Sequence, residues 1–309
     1  MNNKGTHSYT NDNRNKTIQI YINGDFYYRD NAKISVFDSG FLLGDGIWEG
    51  IRLLNGKMVF LKEHLDRLFK GANKLSIDIG KSKDEIATLI QNTLDTNNMK
   101  NGVHIRLIIS RGLKKTPYQH PNANIGKCSI IIIPEYKEAN QSINKKGIKL
   151  VTVSTIRGTS NIQDPKLNTL SKHNCIAACI EADKKNADEG IMLDINGNVS
   201  TCNSTNFFIV KGKEIWTSTG EYCLPGITRQ AIINICKEND IPIKQKKFNI
   251  NDVYSANECF VTGTFAGVIP GIEIDGKLIS NGRRGKTTLI IQKLYRKKLN
   301  LLYPTETIV

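Results

Sequence analysis

No stretch of this 309-residue chain approaches the roughly 20 consecutive apolar residues that a membrane span needs. No membrane partner is therefore expected. The N-terminus, MNNKGTHSYTNDNRNKT, has no apolar core, so no secretory signal is read from it. Its polarity predicts a disordered tail over residues 1–16. The seven cysteines include no Cys-x-x-Cys pair. Cys175 and Cys179 stand four apart on an expected helix, but no histidine or further cysteine completes a ligand set, and no metal is expected. Reduced thiols in the cytosol are the expectation for such a count. Internal repeats are missing, and so is low-complexity sequence beyond the tail. Acids are scarce beside bases, 29 against 43, for a net charge of +14. That balance admits a nucleic-acid partner. However, the basic clusters at 244–247, 283–286 and 296–298 lack interleaved aromatics for base stacking, and they read as solvated surface.

What the chain does have is the composition of an ordinary globular protein, 39% hydrophobic and 23% charged. Its length allows one large or two medium domains. Residues 18–28 alternate around Asn23-Gly24 and predict a hairpin, and Asn55-Gly56 predicts another. Helical spacing places Leu65, Leu68, Phe69 and Ala72 on one face of a helix over 61–75, and a second amphipathic helix covers 84–98. Strands follow at 103–111 and 129–134, and the polar, aperiodic stretch 137–147 predicts a linker. A further strand is expected at 148–154. Residues 155–210 then organise the second half. A helix with Ile176, Ala177, Ile180 and Ala187 inward and Lys184 and Lys185 outward is broken by Gly190. A strand at 191–193, the Asn196-Gly197 turn and a returning strand at 206–210 follow. Helices are expected at 230–239 and 284–300. The fold class this implies is α/β (α+β) in two domains, a smaller one at 17–136 and a larger one at 148–309.

Two places are candidates for chemistry. Arg67, in His64-Leu65-Asp66-Arg67-Leu68, reads by itself as a solvated arginine on a helix surface, although a planar guanidinium suits a phosphate because it can donate two parallel hydrogen bonds. Gly226-Ile227-Thr228 opens a helix, where free N–H groups and the helix dipole favour an anion. An ordinary threonine cap is the alternative there. Three strings, GDGIWEGIRLLNGKMVFLKEHLDRL, LPGITR and ECFVTGT, resemble the class IV (fold type IV) pyridoxal-phosphate aminotransferases. That group includes branched-chain and D-amino-acid aminotransferases and aminodeoxychorismate lyase. The resemblance runs from about residue 18 to about residue 299. It implies a two-domain homodimer with its site in the cleft between domains, near the subunit interface. It also implies pyridoxal 5′-phosphate as cofactor, and an amino acid and a 2-oxo acid as small-molecule partners, with a branched-chain-like donor. By the same resemblance Arg67, Ile227, Thr228 and Thr264 hold the phosphate. The strand and loop bearing His104, Arg106 and Arg111 help to bind the substrate carboxylate.

The resemblance fails at its two most reactive positions. Asp164-Pro165-Lys166-Leu167-Asn168 puts Asn168 where the family pattern has the Schiff-base lysine. Val199-Ser200-Thr201 puts Thr201 where it has the glutamate that keeps the pyridine nitrogen protonated. Asparagine cannot form an imine, and threonine carries no charge. Lys166, expected on the same strand face as Asn168, and Lys172, beside His173, are candidate replacements, with Lys172 preferred. Each reads first as a surface lysine. With Asn168, His173 and Thr201 grouped beside the cofactor, two readings stand. One is an aminotransferase with altered attachment of its cofactor. The other is an atypical relative that holds pyridoxal phosphate, or another phosphorylated ligand, without a covalent bond.

Overall fold

The computed structural model describes residues 5–7 and 9–305. The chain divides into two compact units, and one of them holds Asn11–Glu138 together with Leu167–Lys172. In chain order this unit has strands β1 (Gln19–Ile22), β2 (Asp25–Tyr28), β3 (Gly46–Leu54), β4 (Lys57–Met58), β5 (Val103–Ser110), β6 (Leu113–Lys114), β7 (Asn124–Ile125) and β8 (Ser129–Tyr136). Its helices are α1 (Ser39–Leu43), α2 (Leu61–Lys74) and α3 (Lys83–Thr96). Six strands form one antiparallel sheet in the order β2-β1-β8-β5-β3-β4. Strand β5 alternates as a half-buried strand should: Val103, Ile105, Leu107 and Ile109 face the core, while His104, Arg106 and Ile108 lie on the half-buried side. Leu65, Leu68 and Ala72 of α2 pack into the same core. Asn23 and Asn55 take positive φ, 53° and 51°, in the two turns their Asn-Gly pairs predict.

The other unit contains Ala139–Lys166 and His173–Leu302, with Gly5–His7, Tyr9 and Thr10. Its strands are β9 (Ile148–Thr152), β10 (Glu189–Leu193), β11 (Val199–Cys202), β12 (Asn206–Lys211), β13 (Glu214–Thr217), β14 (Ile243–Gln245), β15 (Glu258–Gly263), β16 (Gly267–Ile274) and β17 (Lys277–Leu278). Its helices are α4 (Ile143–Lys146), α5 (Ser160–Gln163), α6 (His173–Lys184), α7 (Ile227–Glu238), α8 (Ile250–Tyr254) and α9 (Lys286–Leu302). The sheet runs β11-β10-β9-β16-β15-β12-β13-β14, with β17 on β16. Strand β9 is parallel to both its neighbours, and β14 to β13; the remaining pairs are antiparallel. Ile148, Ile191, Phe207, Ile209, Val261 and Ile269 fill one core of this unit.

Four expectations need correction. Residues 1–16 are not a disordered tail throughout. Gly5–His7 and Asn13–Lys16 form 3-10 turns. The Asn15 amide bonds both to the Tyr136 carbonyl and to its N–H, and the Thr6 hydroxyl donates to buried Glu189. Polar composition hides such pairing; residues 1–4 and 8 lie outside the described residues. Second, Leu167–Lys172, expected in the larger domain, belongs to the first unit. Backbone bonds from Trp48 N to Asn168 O and from Leu170 N to Gly46 O hold it against β3. Third, α6 buries Ala178 and Ala182 and leaves Ile176 and Ile180 about half exposed. The reason is close approach, because a Cβ on Gly190 would lie 3.1 Å from the Ala178 carbonyl oxygen. Only small residues fit a helix set that near its strand. Fourth, α7 begins at Ile227 rather than at residue 230.

Candidate functional site

In the unit built on β3, Glu49 is the one acidic residue of the strand, and it points inward with Ile47, Ile51 and Leu53. It is fully buried, and two side chains of α2 converge on it. Arg67 donates from Nε to Oε1 at 2.8 Å and from Nη2 to Oε2 at 2.6 Å, and His64 Nδ1 lies 2.7 Å from Oε2. Burial works to raise the Glu49 carboxyl. The charge and hydrogen bonds of Arg67, with those of His64, outweigh it and hold the group below the usual carboxylate range. Arg67 is itself 12% exposed. The guanidinium expected at a phosphate is thus oriented by a carboxylate behind it. Sequence reasoning missed Glu49 and His64. The available signal was a charged residue in register with the apolar face of a strand.

The neighbouring position on β3 is Trp48. The Arg106 guanidinium stacks over its ring at 3.8 Å, and Lys172 Nζ stands 5.5 Å from the ring centroid. Burial lowers the Arg106 pKa, opposed by the charges of Glu135 and Glu49. His104 shares the Arg106 side of β5 and crowds Gly50, where a Cβ would meet Nε2 at 3.0 Å. Arg111 does not join them. It forks onto Asp45, Nε to Oδ2 at 2.6 Å and Nη2 to Oδ1 at 3.0 Å, and donates to the Leu75 and Ser76 carbonyls. Those bonds make it a brace at the end of β5 rather than an available carboxylate ligand.

Asn168 is 6% exposed. Its Nδ2 donates to the Trp48 carbonyl at 2.6 Å, and its own carbonyl accepts from Trp48 N–H at 2.9 Å. The indole N–H donates to the Thr169 carbonyl at 3.1 Å. Asn168 Oδ1 is buried with no hydrogen-bond partner among the described residues. Lys166 does not share this environment. The chain turns at 165–167 instead of running as a strand, so alternation fails and Lys166 is exposed. His173 is exposed at the start of α6.

In the other unit the end of β12 draws three turns together. Asn206 pairs with Thr262 on β15 and donates from Nδ2 to the Leu224 carbonyl at 3.1 Å. A Cβ on Gly226 would collide with Asn206 Oδ1, so glycine is required there by contact, not by dihedral angle. Gly226 caps α7 with no side-chain bond to its first-turn N–H groups, so Ile227 and Thr228 open a helix with its donors facing outward. Thr228 is buried, and Thr264 sits in the turn between β15 and β16. Thr205 lies against Gly263, 3.3 Å from where a Cβ would be, and its carbonyl accepts from the Thr201 hydroxyl at 2.7 Å. Thr201 is thus tied to Thr205, which lies against Gly263 just before Thr264, while Gly226, just before Ile227 and Thr228, meets Asn206. No cluster of three or more His, Cys, Asp or Glu among the described residues could hold a metal ion.

The family model described as amino-transferase class IV matches residues 46–274. The chain belongs to that family. The putative branched-chain-amino-acid aminotransferase of Methanocaldococcus jannaschii is 35% identical over 90% of this chain and 96% of its own length. A branched-chain-amino-acid aminotransferase-like protein of Arabidopsis thaliana, protein 1, is 38% identical over 92% of this chain but only 51% of its own length. This class IV chain thus spans about half the length of the first curated relatives it matches. The solved branched-chain amino acid aminotransferase of Escherichia coli superposes with a TM-score of 0.84 at 28% identity, over 90% of this chain and 93% of that one.

The class IV residues present here fit one half of a pyridoxal-phosphate group. The open N-terminus of α7, which carries Thr228 in its first turn, suits a phosphate. The other half is not matched. Asn168 holds an amide, already bonded to Trp48, at the position of the lysine, and Thr201 presents a neutral hydroxyl whose proton is engaged. No covalent attachment at residue 168 fits this arrangement. Among the described residues, no helix is long and apolar enough to cross a membrane.

Proposed function

We propose that this chain binds a pyridoxal-phosphate-type ligand through the class IV phosphate contacts without a covalent bond, and that ordinary transamination is lost or feeble. The observation that carries this is the Asn168 side chain, buried and tied to the Trp48 carbonyl where a reactive amine is required. Arg67, Ile227, Thr228 and Thr264 are proposed as phosphate ligands. Thr201 takes the position of the acid at the ring nitrogen, and His104 and Arg106 are proposed for the carboxylate of an amino acid or 2-oxo acid. The branched-chain names of the relatives favour a branched-chain-like amino acid. A positioned acid–base group contributes roughly 10²–10⁴-fold in rate, so the absence of the lysine alone predicts a loss of that order.

The experiment loads the purified protein with pyridoxal phosphate, reduces it with borohydride and maps adducts by peptide mass spectrometry. Turnover is measured beside it with branched-chain and D-amino donors and 2-oxoglutarate. Ligand bound with no lysine adduct and negligible turnover supports the proposal. Rapid turnover overturns it.

One observation favours a second reading, an aminotransferase with a relocated lysine. Lys172 Nζ stands 5.5 Å from the ring centroid of Trp48, the residue that also holds Asn168. An adduct on Lys172 would establish that version. A homodimer is proposed as well, supported by the exposed apolar residues Ile34, Val36, Phe37, Phe41, Leu43 and Leu113 of the first unit. Sedimentation velocity tests it. A cytosolic setting is proposed from the seven cysteines, all of them free thiols.

A further inference from the structure

Asparagine carries one acceptor and one donor group, and ordinarily either end can face either way. Here the choice is fixed. Nδ2 sits 2.6 Å from the Trp48 carbonyl oxygen, and a flipped amide would put two oxygens at that distance. The frame is rigid too, because Trp48 is bonded to Asn168 and Thr169 through its backbone and its ring. The remaining atom, Oδ1, is a buried acceptor without a donor among the described residues. Such an atom is uncommon in a folded interior, and it gains by meeting a donor.

We infer that Asn168 Oδ1 accepts a hydrogen bond from an amino group on the ligand, so that the chain selects the amine form, pyridoxamine 5′-phosphate, over the aldehyde form. This rests on the reading above, that a ligand of this class is held with its reactive substituent at residue 168. A lysine would bring its own nitrogen to that place. The shorter asparagine stops at a carbonyl oxygen and leaves the nitrogen to be supplied by the ligand. The aldehyde offers only an oxygen, and two acceptors facing one another leave both unsatisfied. One satisfied hydrogen bond against one unsatisfied pair corresponds to about a tenfold to hundredfold difference in affinity.

The test titrates the full chain, stripped of ligand, with three compounds that share ring and phosphate. They are pyridoxamine 5′-phosphate, pyridoxal 5′-phosphate and 4′-deoxypyridoxine 5′-phosphate, whose methyl group neither donates nor accepts. Calorimetry is expected to show the amine binding at least tenfold tighter than either of the others. Asn168→Ala should bring the amine down to the level of the deoxy compound and leave the deoxy compound unchanged. The wild-type comparison needs no variant, so a failure of Asn168→Ala to fold leaves the inference testable. Equal affinity for amine and deoxy compound overturns the inference and leaves the binding reading standing. Tighter binding of the aldehyde also overturns it, and borohydride mapping then shows which lysine is responsible. If none of the three binds, the functional reading itself falls, and the inference with it.

Discussion

The Glu49 carboxylate allows the most quantitative prediction. Glu49→Gln keeps the shape of the side chain but removes the charge, and one of its two acceptor atoms becomes a donor. In the native arrangement that carboxylate takes two hydrogen bonds from Arg67, at 2.8 and 2.6 Å, and a third contact from His64 at 2.7 Å. The substitution takes the Glu49 charge away from a nearly buried guanidinium. Breaking a buried ion pair by removing one partner costs about 3–5 kcal/mol, chiefly because the surviving charge is uncompensated. The lower end applies, since Arg67 keeps some access to solvent. With an unfolding entropy of about 2.1 cal/mol/K per residue, a cost of about 3 kcal/mol lowers the melting temperature of this 309-residue chain by about 5 °C. Differential scanning fluorimetry and urea titration at neutral pH measure it, the midpoint falling with an unchanged slope. The double variant Glu49→Gln/Arg67→Gln supplies the control. It removes both charges, so it should lose markedly less than the sum of the two single losses. A single-variant cost within about 1 kcal/mol of zero, or strictly additive losses, would refute the reasoning.

Three further outcomes are expected. Gly226→Ala should destabilise the start of α7 by about 1–3 kcal/mol, because the new methyl collides with Asn206; the same variant should abolish binding of inorganic phosphate or of pyridoxamine phosphate, followed by calorimetry. Asn168→Lys should gain what the natural chain lacks, a borohydride-trapped pyridoxyl adduct at residue 168, seen as a mass increment on that peptide; no adduct there would mean that the ligand does not reach the position. Arg111→Ala should cost stability through the lost Asp45 fork and the lost carbonyl contacts, by about 2–4 kcal/mol. Its effect on ligand affinity should be small, in contrast to Arg106→Ala, and parallel melting and binding curves separate the two.

Much of the scaffold was legible because its signals are local. The Asn-Gly pairs set the turns at 23–24 and 55–56, and the alternation of 103–109 set the buried side of β5. The failures share a different cause. The face of α6 was misread because hydrophobicity favours Ile176 and Ile180, whereas the closeness of helix and strand at Gly190 admits only Ala178 and Ala182. Lys166 was misplaced because alternation presumes a strand, and the chain turns there. The resemblance groups Arg111 with His104 and Arg106, and nothing local in the sequence shows that Asp45, 66 residues away, engages it. Asn168 and Thr201 stand out from strings alone, by their departure from the family pattern. The Glu49 pairing does not, since it joins strand and helix residues 15 and 18 positions apart.

The chain also buries a second glutamate, and its surroundings reverse the outcome. Glu189 accepts hydrogen bonds from the hydroxyls of Ser204, Thr205 and Thr6, and no cation faces it among the groups that shift its titration. Burial dominates and raises its pKa, although the three hydroxyls pull the other way. The two glutamates therefore respond to acid with opposite signs. Glu49, depressed in the folded state, contributes stability that is present above the unfolded pKa of about 4.3 and is lost as the pH falls through its folded value. Glu189, raised in the folded state, contributes stability that is fully present below that unfolded pKa and is lost as the pH rises through its folded value. Hence the stability of wild type relative to Glu189→Gln should improve as the pH is lowered from 7 toward about 4.5, where unfolded glutamate begins to protonate. Wild type relative to Glu49→Gln should hold constant over the same range and decline only below it. Urea midpoints of the three proteins, measured in half-unit steps of pH, separate the two behaviours. Parallel curves for the two differences would show that burial alone, and not the cation beside Glu49, decides how these carboxylates titrate.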